Sequence, residues 1–178
     1  MGRRVLSCEI DPASTRCALT ASIRLSLTYE AEADADEAPR WSLWYIADAV
    51  YSSTRVLLFR AEDSMKEGER EMEIKKGGSF MISRREGTER RCRFLTVCVN
   101  DFAGSLEQVP VRSLSQVGLL QICEDGGHSA EAPEGDEEVL ISIVCHVRDV
   151  VATPPGGIPA PVNENLSYLM RCLYNPME

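Results

Sequence analysis

Residues 23 to 30 read Ile-Arg-Leu-Ser-Leu-Thr-Tyr-Glu, with an apolar side chain at every second position. A period of two is the signature of a β-strand with one dry and one wet face. A helix would repeat its apolar positions every three or four residues. A second strand follows, Arg40-Trp-Ser-Leu-Trp-Tyr-Ile-Ala47, and Glu30, Glu32, Asp34, Asp36 and Glu37 crowd the connection between the two. If Trp41, Leu43 and Tyr45 face a core, Trp44 and Ile46 face outward, either into a partner or under a covering segment. Exposed Trp beside carboxylates is the composition of an interface hot spot.

The same pattern recurs along the chain and predicts strands over Arg4–Ile10, Ser22–Glu30, Arg40–Ala47, Arg55–Arg60, Glu69–Lys75, Cys92–Asn100, Val117–Cys123 and Glu138–Arg148. In the last, Val139, Ile141, Ile143, Cys145 and Val147 share one face, and the opposite face is also rather apolar, which predicts a central strand. Short strands at this spacing define an all-β antiparallel sandwich. Long loops are expected near 77–91, 101–116 and 124–137, with a helical turn around Leu106. A proline-rich crossing over 153–161 leads to an expected short C-terminal helix. Asn163 or Asn165 would cap it, and Leu166, Leu169, Met170 and Leu173 would share its apolar face.

At 178 residues and 44% hydrophobic, the chain fits one domain that needs no staples. A formal charge of −9 argues against direct nucleic-acid binding and suits a basic partner. The seven cysteines show no C-x-x-C pair, which points to a reducing compartment, nucleus or cytosol. No signal-peptide core or membrane-length apolar stretch is present.

No catalytic signature frames any residue. Cys123 and His128, or the adjacent Cys145 and His146, lack the four converging ligands of a structural zinc site, so neither a metal nor a cofactor is expected. Cys98, His146 and Asp101 could form a nucleophilic set only if neighbouring strands brought them together. The basic run from Lys75 to Arg93 reads as a solvated loop balanced by acids at 62–73, with contact to phosphate or an acidic partner as the alternative.

Several motifs, taken in order, resemble the anti-silencing function family of histone H3–H4 chaperones. They are Asp11-Pro12, Trp41-Ser-Leu-Trp-Tyr-Ile-Ala47, Arg55-Val-Leu-Leu-Phe59, Glu71-Met-Glu-Ile74, Phe94-Leu-Thr-Val-Cys98, Glu138 to Arg148, and Leu169-Met-Arg-Cys-Leu173 with Asn175-Pro176. The resemblance implies an immunoglobulin-like sandwich with a short C-terminal helix and a non-enzymatic, chromatin-associated role. It implies a histone-type face from Asp48, Arg93, Leu95, Val97, Ile141, Ile143 and Cys145. It also implies an acidic groove from Asp34, Asp36, Glu37 and Arg40, where a basic co-chaperone peptide would add as a β-strand. The chain departs from the family at Arg93, which replaces a valine, at Ile141, which replaces an arginine, and at Arg40, which replaces an acid. An extra segment at 101–137 and a short chain after Asn175-Pro176 are further departures. The alternative reading is an immunoglobulin-like or C2-like adaptor subunit that does not bind histones.

Overall fold

The computed structural model describes residues 3–30, 40–62, 78–83, 92–125, 137–149 and 169–177. Among these, ten strands form two antiparallel sheets. They are β1 (Arg4–Ile10), β2 (Arg16–Ala18), β3 (Ile23–Glu30), β4 (Arg40–Ala47), β5 (Thr54–Glu62), β6 (Gly78–Ser83), β7 (Cys92–Val99), β8 (Val117–Asp125), β9 (Glu137–Asp149) and β10 (Leu169–Tyr174). Three single helical turns accompany them: α1 (Pro12–Thr15), α2 (Phe102–Ser105) and α3 (Val111–Leu114).

One sheet has the order β1-β3-β7-β6, the other β2-β10-β9-β8-β4-β5. The first is the A-B-E-D order of an immunoglobulin-type sandwich, and β9-β8-β4-β5 is its G-F-C-C′ order. β10 is an addition, inserted between β2 and β9. A buried Trp on strand C marks such sandwiches; here Trp41 fills that place, 5.5 Å from Tyr29 and 6.3 Å from Phe80 between ring centroids. The seven cysteines are all thiols, so no disulfide joins the two sheets.

The predicted alternation holds where it was clearest. Ile23, Leu25, Leu27 and Tyr29 are buried against Trp41, Leu43 and Tyr45 of the opposing sheet. β9 is central, between β8 and β10. A register shift between Ile122 and Cys123 breaks its pattern at one point. A bulge moves one residue to the other face, so Val139 is exposed while Ile141, Ile143, Cys145 and Val147 remain inside. The expected turn near Leu106 is α2, capped by Asp101, whose carboxylate accepts from the Gly104 amide at 3.0 Å. Phe102, Leu106, Val109 and Leu114 close that end of the core.

The expected C-terminal helix does not include Leu169–Tyr174, which is strand β10, hydrogen-bonded on both sides. Its side chains alternate in and out. Leu169, Arg171 and Leu173 are buried, while Met170 and Cys172 are half-buried and Tyr174 is exposed. The expected cap and Leu166 lie outside the described residues, as does the strand predicted at 69–75. β6 occupies part of the stretch expected to be loop.

Candidate functional site

Trp44 lies on the outer face of the six-stranded sheet, because the alternation that buries Trp41, Leu43 and Tyr45 turns Ser42, Trp44 and Ile46 outward. Register places Leu57 and Gln121 on either side of Trp44, and Arg60 and Cys123 on either side of Ser42. Arg55 stacks on the indole with its guanidinium carbon 3.9 Å from the ring centroid, a cation–π geometry. The Trp44 Nε1 donates to Ser42 Oγ at 3.0 Å, and Ser42 Oγ donates to Glu137 Oε1 at 3.0 Å. Glu137 also accepts from Arg55 at 2.7 Å and from Arg60 at 2.8 Å. Three strands, β4, β5 and β9, are thereby tied on one surface.

Burial alone would raise the Glu137 carboxyl; donation from Arg60, Ser42 and Arg55 outweighs it and holds the group below the ordinary carboxylate range. The buried Cys123 thiol beneath is pushed up, first by burial and then by the charge of Glu137. The network is therefore ionised and ordered at neutral pH, with an inert thiol below it. Beside it, Leu57, in register with Trp44, and Val139, in register with Cys123, are exposed. The result is a hydrogen-bonded aromatic–arginine centre flanked by exposed apolar side chains, a composition found at protein interfaces.

The residues expected to form a histone-type face are placed elsewhere. Leu95 and Val97 belong to β7, Ile141, Ile143 and Cys145 to β9, and these strands lie in opposing sheets. All five point into the shared core and are buried. The expected face does not form, because the apolar side of each strand is the side that packs against the other sheet. Asp48 is also buried, with a φ of 51°. Its carboxylate accepts from the Tyr51 amide at 3.2 Å and the Ser52 hydroxyl at 3.0 Å, so it shapes the β4–β5 turn. Arg93 is half-buried at the inner register position opposite Tyr29, and its Nη1 donates to the Cys92 carbonyl at 3.2 Å. Arg40 opens β4, in register with Glu62 and Asp125. Asp34, Asp36 and Glu37 lie outside the described residues.

The conceivable Cys98–His146 pair is not assembled: the two residues stand on the outward positions of opposing sheets. Among the described residues no group of three or more His, Cys, Asp or Glu side chains could hold a metal ion, and no helix is long and apolar enough to cross a membrane. Sequence reading identified Trp44 as outward-facing but missed Glu137, Arg55 and Arg60. Glu137 was read as the end of a loop, and only strand pairing brings it beneath two arginines from β5.

Fold and face together define the class as an all-β sandwich with an ordered aromatic–arginine surface. No protein-family profile matches the chain, and no characterised protein is significantly similar to it in sequence.

Proposed function

We propose that the protein is a non-enzymatic interaction module that docks a protein partner on the outer face of its six-stranded sheet, with histone H3–H4 as that partner. The observation that carries the docking reading is the half-buried Trp44, held under Arg55 and hydrogen-bonded through Ser42 to Glu137. An indole immobilised before binding loses little conformational entropy on contact, which makes it an effective anchor. H3–H4 is supported by the motif resemblance and by the net charge of −9, which attracts a basic partner. More than half of the 28 acidic residues lie in segments outside the described strands, where they could engage basic tails while the sheet face takes the folded partner.

The test is fluorescence titration with H3–H4 at physiological salt. Binding at micromolar or lower concentration is expected, with a loss of about tenfold or more in Trp44→Ala. No binding at micromolar protein, or indifference to Trp44→Ala, would sink this reading.

One observation favours a second reading, an adaptor subunit with a non-histone partner: Leu95, Val97, Ile141, Ile143 and Cys145 are core residues. Affinity capture that returns one stoichiometric non-histone protein, lost in Trp44→Ala, supports it.

A further inference from the structure

At the opposite margin of the same sheet, β2, β9, β10 and the turn after β10, with the ends of β1 and α1, line an open cavity of about 550 Å³. Small-molecule sites typically span about 300–1,000 Å³. Its apolar surfaces come from the half-buried Ile10 and Cys172, with the exposed Tyr174 ring beside them. Two arginines line it. Arg16 is in register with Cys172 and Arg148 with Met170, so both rise from the outer face on opposite sides of β10.

Arg148 is oriented from behind: its Nε donates to His146 Nδ1 at 3.3 Å, and among the described residues its two terminal nitrogens make no hydrogen bond or ion pair. Neighbouring polar groups are already engaged. The Thr15 hydroxyl donates to the Asp11 carbonyl at 3.3 Å, and the Asn175 amide donates to the Cys8 carbonyl at 2.8 Å while accepting from the Met177 amide. Among the described residues, no carboxylate lies within ion-pairing distance of Arg16 or Arg148. Two like charges therefore flank the cavity with no counter-charge among the described residues, and a guanidinium fork matches the oxygens of a carboxylate or phosphate.

We propose that this cavity binds a small amphipathic anion, whose planar or aliphatic body rests on Ile10, Cys172 and Tyr174 and whose oxyanion head lies between Arg16 and Arg148. The site is separate from the Trp44 surface, and the proposal stands whether or not that surface binds histones.

The probe is 8-anilinonaphthalene-1-sulfonate, an apolar ring system with an anionic head, titrated into the full chain and then displaced by AMP or by decanoate. Saturable binding is expected, with at least about tenfold weaker affinity in Arg16→Ala and in Arg148→Ala. Both substitutions are at exposed positions, and an unchanged Tm verifies that the fold is retained. Adenosine and decanol, which lack the head, should need at least about tenfold higher concentration to displace the probe. Displacement by AMP alone assigns a phosphate ligand, and displacement by decanoate alone a carboxylate. Equal displacement by charged and neutral compounds, or unchanged probe affinity in the Arg16→Ala/Arg148→Ala double variant, would overturn the proposal. So would the absence of saturable probe binding.

Discussion

Arg171 is fully buried, yet no acid pairs with it among the described residues. Its Nη1 donates to the carbonyls of Leu19 at 3.1 Å and Ala21 at 2.6 Å, and its Nη2 to that of Ser22 at 2.6 Å. The Phe102 ring lies 5.6 Å away. Burial lowers the pKa of this guanidinium, opposed by the Cys17 and Cys145 thiols. The carbonyls it collects end β2 and open β3, so the side chain replaces backbone partners that this turn lacks. Arg171→Ala leaves several buried carbonyls unsatisfied and should cost about 3 kcal/mol or more in urea unfolding. Arg171→Lys should recover little of it, because an ammonium cannot span both arms of the fork. Full recovery by lysine would show that charge alone matters. Asp48 acts in a similar local way, and Asp48→Ala should cost about 1–2 kcal/mol through the lost turn hydrogen bonds. Histone affinity, if present, should change little with this substitution, because the carboxylate faces its own turn.

Leu166, Leu169, Met170 and Leu173 match helical spacing, but Leu169, Arg171 and Leu173 also match strand spacing. Short apolar runs carry both periods, and tertiary partners decide between them. Here β9 and β2 each offer a ladder to β10, and Arg171 fastens the strand from its inner side. Hydrogen exchange should therefore protect the amides of 169–174 about as well as those of β9, and truncation before Leu169 should abolish cooperative unfolding. Fast exchange there would contradict the strand. The β8 residue Gly118 also owes its identity to packing: a Cβ there would collide with the Tyr45 hydroxyl. Tyr45 in turn packs edge-on against Phe102 at 5.2 Å.

Over the whole molecule, two titrations report on how the sheets are assembled. The folded Glu137 carboxyl releases its proton more readily than it would in the unfolded chain. Its network thus contributes fully above the ordinary carboxylate pKa of about 4.5 and is lost as pH falls through the lower folded value. Stability measured from pH 7 to 3 should decline below about 4.5, and Glu137→Gln should flatten that decline. An unchanged slope would place the acid sensitivity elsewhere. Thiol reactivity provides the second check. Cys145 is buried and its thiol is pushed up to about 12 by that burial, and Cys123 is also buried and raised. Both should resist alkylation at pH 8 until the fold opens, while the half-buried Cys17, Cys92, Cys98 and Cys172 react first. Rapid native labelling of Cys145 would contradict the packing of β9.

The sequence by itself determined seven of the ten described strands and most of their dry faces, but not β2, β6 or β10. The period of two in Ile23–Glu30 and Trp41–Ala47 is local, and burial follows wherever a strand has one apolar side. It also marked Trp44 as outward, since its neighbours on either side had to face in. Tertiary structure alone decided which dry faces meet. The family resemblance implies that Leu95, Val97, Ile141, Ile143 and Cys145 share one outer face, but the pairing of two sheets turns them into core. Tertiary pairing likewise made 169–174 a strand, turned Val139 out through a bulge, and gathered Arg55, Arg60, Ser42 and Glu137 around one indole. Alternation is set by adjacent residues, whereas register and sheet partnership depend on contacts between positions up to about 150 residues apart, such as Arg171 with Ala21. No local pattern encodes such distances, and only the closed sandwich selects among them.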